Sequence, residues 1–138
     1  MSNKIELDKH SELLLKNDAF SNWLGVKIHE LNKGHVKTSM LVRKEMLNPH
    51  GICHGGILFS FADSTMAYAA HTHGGLAVSI EANISFCNKI APNKTIFATT
   101  KEIKNGKSIA TYEITICDEE KTTLAVFRGT MFRMESKQ

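Results

Sequence analysis

The chain has 138 residues, of which 42% are hydrophobic and 22% are charged, a composition that suits a single domain with a modest core. Its 17 Lys and Arg residues are scattered among 14 Asp and Glu, so the net charge of +3 forms no basic block of the kind that nucleic acids bind. No apolar run reaches the length of a signal-peptide core or a membrane span, so we expect a cytoplasmic protein with neither a nucleic-acid nor a membrane partner.

The predicted elements begin with helical and extended segments in the first third of the chain. Apolar residues in 8–24 have the spacing of one or two short amphipathic helices, and we take 1–25 as an N-terminal helical segment of a single domain, 1–138. The β-branched content rises in 26–42, on both sides of a turn at 32–34, which predicts an opening hairpin.

The longest helix is predicted from Gly55 to about Thr72, about 27 Å at 1.5 Å per residue. Apolar residues cover nearly every direction around its axis, which is typical of a helix buried on most sides. Because a sheet must then wrap around it, the pattern predicts an α+β fold.

Three further segments predict the strands of that sheet. Apolar residues stand at every even-numbered position from Leu76 to Phe86, which indicates a strand with one buried face. Residues 95–103 and 108–117 flank Asn105-Gly106, a dipeptide that takes positive φ at low cost and favours a tight antiparallel hairpin. Residues 122–134 alternate in the same way and predict a final strand.

The most distinctive stretch is NPHGICHGGILFSFADS, residues 48–64, which runs from a polar loop into the long helix. Asp63 stands one turn from Phe59 and from Met66, where an ionised group is costly without partners. The predicted helix begins at Gly55, where unpaired N–H groups and the helix dipole suit negative charge. A structural role stays open for both residues. A neighbouring serine can hydrogen-bond the carboxylate of Asp63, and the start of a helix can need a glycine such as Gly55 for packing.

Three motifs in a fixed order resemble the hotdog-fold acyl-CoA thioesterases, most closely those of phenylacetate degradation. They are NDAFSNWLGV from residue 17, HGGILFSFAD at 54–63 and FRGTMFR at 127–133. The resemblance implies an α+β hotdog fold, a curved antiparallel β-sheet wrapped around one long buried helix. It also implies hydrolysis of aryl-acetyl or medium-chain acyl-CoA to the free acid and CoA, with no cofactor because CoA is part of the substrate.

The resemblance also implies roles for individual residues. The N–H of Gly55 would polarise the thioester carbonyl, and Asp63 would attack, either as general base for a water or as a nucleophile through an anhydride. Asn48 and Asn17 match positions whose amides help hold the water or the carbonyl, although each also suits a turn. His54 belongs to the motif, where organising the loop by hydrogen bonding suits it better than proton transfer.

The spacing of Gly55 and Asp63 predicts an assembly. Eight residues of helix separate them by about 12 Å along the axis and about 80° around it, whereas both must lie about 3 Å from the reacting atoms. We therefore expect the Asp63 that serves a given Gly55 to come from a second chain, as in a homodimer. The resemblance implies that dimers pair again into a homotetramer.

The phosphates of CoA need basic partners at the rim of the site. Three residues of the later strands and turn are candidates, although a solvated surface role suits each of them individually: Lys104, Lys107 and Arg128.

Other chemistries fit the sequence less well. Four histidines, at positions 50, 54, 71 and 73, surround the ends of the long helix, but their spacing matches no metal motif, and we expect no metal. Cys53 adjoins His54, yet consecutive side chains diverge and do not make a nucleophilic dyad. The three cysteines are widely spaced without a CxxC pair, which favours reduced thiols.

Two other functions remain open, a hotdog protein that binds acyl-CoA without cleaving it and one that hydrates an enoyl thioester. The dehydratase relatives usually pair a catalytic His with Asp or Glu on a differently patterned helix, which this chain lacks. A binding module has no need for an ionisable group at the depth of Asp63, which therefore favours hydrolysis.

Overall fold

The computed structural model describes residues 16–134, so the part of the predicted N-terminal segment before Lys16 lies outside the described residues. The elements in chain order are α1 (Ala19–Leu24), β1 (Lys27–Asn32), β2 (His35–Leu41), a short 3-10 turn (Lys44–Met46), α2 (Gly55–His71), β3 (Ala77–Phe86), β4 (Thr95–Asn105), β5 (Ile109–Cys117) and β6 (Thr123–Arg133).

The strands of this part of the chain form one six-stranded antiparallel sheet in the order β1-β2-β4-β5-β6-β3. Helix α2 packs against β2, β3, β4, β5 and β6, and its largest fully buried side chains are Phe61 and Met66. This is the α+β hotdog arrangement that the sequence predicts, and the bounds of α2 and of β3 to β6 agree with the prediction to within two residues.

A polar cluster fixes the C-terminal end of α2 to the β4–β5 hairpin. His73 Nε2 lies 2.8 Å from Glu102 Oε2, and the same carboxylate oxygen accepts a hydrogen bond from the Tyr112 hydroxyl at 2.8 Å. The guanidinium of Arg133 donates to the side-chain oxygen of Asn105 and to the carbonyl of Gly106. The hairpin forms where the sequence predicts it, but neither residue of its Asn-Gly dipeptide has positive φ.

Strand β3 differs from the prediction in the side chains that it buries. Its pairing with β6 steps from Ser79↔Met131 to Glu81↔Thr130, so Ile80 is an extra, bulged residue. A one-residue insertion exchanges the two faces of a strand. Ser79 and Phe86 therefore both face α2, whereas Val78 and Ile80 are 45% and 55% exposed. The predicted buried face along the whole strand is wrong, because the alternation of residue types does not reveal the bulge.

Helix α1 is held against the middle of α2. Asp18 caps α1 by accepting the N–H of Ser21 at 3.0 Å, and its second oxygen accepts the Tyr68 hydroxyl at 2.9 Å. The hydroxyls of Ser21 and Ser64 lie 2.8 Å apart. Burial alone raises the pKa of Asp18, but these hydrogen bonds from Ser21 and Tyr68 lower it below its ordinary value. Asp18 is therefore an ionised cap that joins the two helices.

Candidate active site

Asn48 shapes the loop that leads into α2. Its side-chain oxygen accepts the N–H groups of His50 at 2.9 Å and Ile52 at 3.3 Å, and its own N–H donates to the Ile52 carbonyl at 2.8 Å. Gly51 closes this loop with a φ of 76°. The structure thus gives Asn48 a turn role and also places it in the lining of a cavity of about 690 Å³.

His54 caps the first turn of α2. Its backbone is extended, with φ −64° and ψ 136°, and its Nδ1 accepts the N–H of Gly56 at 2.8 Å. A ring nitrogen that accepts a hydrogen bond carries no proton, so this contact requires the neutral tautomer with the proton on Nε2. The N–H of His54 donates to the Met46 carbonyl at 2.8 Å, which ties the helix start to the preceding turn.

Gly55 is the first residue of α2 and lines the same cavity as Asn48. Its N–H finds no acceptor among residues 16–134, whereas the N–H groups of Gly56 and Ile57 are both taken up by His54. An unpaired N–H at the N-terminus of a long helix carries the positive end of the helix dipole. This donor is therefore available to an oxygen atom of a ligand in the cavity.

Asp63 lies further along α2, beside the start of β3. It is half-buried, and its Oδ1 accepts the hydroxyl of Ser79 at 3.0 Å. Ser79 is not predicted from the sequence, because simple alternation assigns it to the outward face and only the bulge at Ile80 turns it toward the helix. No local pattern in the sequence indicates this contact.

The structure brings the predicted residues together in two clusters and not in one. Gly55, Asn48 and His54 lie at the start of α2, where Phe86 ends β3. Asp63 lies with Ser79 near the other end of the same strand. Eight residues of helix keep Asp63 about 12 Å from Gly55 along the axis, so one chain does not bring the two onto one carbonyl group.

Asn17 lies outside both clusters. It is exposed and precedes Asp18, whose carboxylate contacts Tyr68, and it does not line the Gly55 cavity. In position it is nearer to the Asp63 part of α2 than to the helix start, since Ser21 contacts Ser64.

The basic residues are distributed over different parts of the surface. Lys104 and Lys107 are exposed in the β4–β5 hairpin, at the end of the sheet where Asn105 approaches His73. Arg128 is exposed on β6, with Asn83 and Glu113 as its strand neighbours. The basic residue that lines the Gly55 cavity is instead Lys89, which no sequence motif distinguishes from the other lysines.

The alternative chemistries find little support in the geometry. Cys53 is buried, and burial raises the pKa of its thiol to about 11, so the thiol is protonated and a poor nucleophile near neutral pH. Within residues 16–134, no group of three His, Cys, Asp or Glu side chains is placed to hold a metal ion. None of the helices in these residues is long and apolar enough to cross a membrane.

Comparison with known proteins adds independent findings. A family model described as the thioesterase superfamily matches residues 50–125. The chain is 36% identical over 134 residues to the acyl-coenzyme A thioesterase PaaI of Escherichia coli, which covers 97% of this chain and 94% of that protein.

Solved structures show the same likeness. The PaaI protein from the phenylacetic acid degradation operon of E. coli superimposes with a TM-score of 0.89 at 34% identity, over 94% of each chain. The TT0310 protein of Thermus thermophilus superimposes with a TM-score of 0.81 at 32% identity, over 86% of this chain and 99% of that one.

Proposed function

We propose, from the premise that the chain belongs to the thioesterase superfamily and is a thioester hydrolase, that it cleaves acyl-CoA to a free acid and CoA. The observation that carries this proposal is the N–H of Gly55, which is unpaired within residues 16–134. Gly55 lies at the start of a 17-residue helix and lines the cavity. Such a donor stabilises the negative charge that builds up on a thioester carbonyl oxygen during attack.

Asp63 is the residue that we propose for the attack. As a general base it takes a proton from water while the water oxygen bonds to the carbonyl carbon, after which the C–S bond breaks and the proton leaves with the CoA sulfur. As a nucleophile its carboxylate bonds to the carbonyl carbon, the C–S bond breaks and CoA leaves as the thiolate, and water then hydrolyses the resulting mixed anhydride to the free acid and the original carboxylate. The Ser79 hydroxyl supports either route, because it holds one oxygen of the carboxylate in place.

Strand β3 supports a dimer that completes the site. It is an edge strand of ten residues whose exposed apolar side chains include Val78, Ile80 and Phe86. In an antiparallel pair of two such edges, the end of one strand lies beside the start of the other. That arrangement brings the Gly55 cluster of one chain toward the Asp63 cluster of its partner. We propose this homodimer, with two equivalent sites, and its further pairing into a homotetramer.

The acyl group is proposed to be aryl-acetyl, with medium-chain acyl groups as the alternative. The cavity at Gly55 has apolar walls that include Ile52, Leu58 and Phe86, which suit either group. The relationship to a protein of the phenylacetic acid degradation operon favours the aryl group.

Release of free CoA thiol tests the proposal directly. The purified protein should liberate thiol from a panel of CoA esters, with phenylacetyl-type esters turned over faster than octanoyl-type esters of similar size. The ratio of kcat/KM between aryl and aliphatic esters ranks the two classes. If the protein binds and protects CoA esters without releasing thiol, the enzyme proposal fails and the acyl-CoA-binding function replaces it.

Lys89 and Lys104 give a matched test of where the CoA phosphates bind. Lys89→Ala should raise KM for a CoA ester several-fold and leave KM for the corresponding pantetheine ester unchanged, because pantetheine lacks the nucleotide phosphates. Added salt should reduce the difference, since exposed charge contacts are screened. Lys104→Ala removes the same charge from the β4–β5 hairpin, where the sequence predicts a contact with the CoA phosphates. If it alone raises KM, the phosphates bind there and the contribution of Lys89 is excluded.

A further inference from the structure

The ring of Phe86 occupies the place that a side chain at position 55 would fill. A Cβ added to Gly55 would lie 2.8 Å from Cζ of Phe86, and 3.2 and 3.4 Å from its two Cε atoms. Gly55 is the first residue of α2 and is not among the residues with positive φ, so its backbone would accept alanine. A side chain at this position would therefore meet the ring of Phe86 and displace it, whereas the backbone conformation needs no glycine.

The backbone that carries Phe86 is firmly held. Phe86 pairs with Ala125 of β6, and the N–H groups of Cys87 and Asn88 both donate to the Leu124 carbonyl, at 2.8 and 3.1 Å. The side-chain amide of Asn88 donates to the Thr123 carbonyl at 2.7 Å. The ring itself is 56% exposed and lines the cavity together with Gly55. A large aromatic side chain that is fixed at its base and open to the cavity contributes little to the core of the subunit.

We propose that Phe86 is a positioning residue for the thioester, and that Gly55 is glycine so that this ring can lie against the first turn of α2. The tip of the ring lies beside the first residue of α2, where it would narrow the approach of a carbonyl oxygen to the Gly55 N–H. Orientation of this kind holds the reacting carbon in line with the attacking group. The inference rests on the proposed function, because it assigns Phe86 to the same thioester site.

A double-mutant cycle on Gly55 and Phe86 tests this proposal. Gly55→Ala keeps the N–H but its methyl group displaces the ring, so we expect kcat/KM to fall about 10- to 100-fold, as small misplacements do. In the Phe86→Ala background the ring atoms nearest to the added methyl group are gone, and Gly55→Ala should then change kcat/KM less than about threefold. Phe86→Tyr keeps the ring and should retain most of the activity.

Two further readouts separate positioning from a loss of structure. Phe86→Ala should lower kcat more than it raises KM and should leave inhibition by free CoA unchanged, since free CoA lacks the thioester carbonyl that the ring orients. Light scattering should show that Phe86→Ala keeps the assembly of the wild-type protein, and a loss of assembly would make Phe86 an interface residue and not a positioning residue. If Gly55→Ala is equally harmful with and without the ring, Phe86 does not position the thioester. A wild-type protein that hydrolyses no CoA ester would instead overturn the proposed function itself.

Discussion

Asp63→Asn is expected to remove most of the thioesterase turnover, on the order of 10²-fold or more, while the fold and the affinity for CoA are retained. An amide of the same shape still offers an oxygen to the Ser79 hydroxyl, so the local contact at 3.0 Å can persist. It accepts no proton from water and forms no anhydride, so both proposed routes fail. Steady-state kinetics, circular dichroism and calorimetric titration with CoA measure the three quantities.

Ser79→Ala is the matched control for this substitution. It removes the hydrogen bond to the carboxylate but leaves the carboxylate itself, so turnover should fall by less than in Asp63→Asn. Wild-type turnover in Asp63→Asn would give Asp63 a purely structural role. In that case the hydrogen bond between Ser79 and Asp63 would serve only to hold the start of β3 against α2.

Mixing two inactive variants is expected to restore activity. Subunits with Asp63→Asn keep Gly55, and subunits with Gly55→Pro keep Asp63 but lack the N–H, while proline remains compatible with a first helical position. If each site takes Gly55 from one chain and Asp63 from the other, a mixed dimer contains one intact site and one doubly altered site. Random exchange makes half of the dimers mixed, so about a quarter of the wild-type activity should return.

The formation of mixed dimers must be shown in the same samples, for example with two different affinity tags and light scattering. A site contained in a single chain predicts no recovery at any mixing ratio, because every chain then carries one lesion in its own site. The absence of activity in verified mixed dimers would therefore exclude the cross-chain site. An active monomer would exclude it independently.

The elements of this fold were predictable because each has a strong local signal. The apolar residues around α2 and the period-two pattern in β4 to β6 reflect which surfaces are buried, and burial is the main determinant of such patterns. The separation of Gly55 from Asp63 was also predictable, since helix geometry fixes it once both residues are placed in one helix.

The details of the site were less accessible from the sequence. The bulge at Ile80 is set by pairing with β6, a segment some fifty residues later, so no local pattern indicates that Ser79 faces Asp63. Phe86 reads as another apolar strand residue, and its place against Gly55 depends on the packing of β3 and α2. Lys89 is one of 17 basic residues, and only the folded loop brings it to the cavity.

The cap formed by His54 has a consequence for the departure of the product acid. Because His54 takes up the Gly56 and Ile57 N–H groups, the start of α2 offers one unoccupied donor within the described part of the chain, that of Gly55. A thioester carbonyl presents one oxygen and needs only one donor, whereas a carboxylate presents two oxygens and a full charge. Two free donors would hold that carboxylate by a pair of charge-assisted hydrogen bonds. With one donor, the proposed site would hold the newly formed acid less firmly and would be cleared sooner for the next thioester.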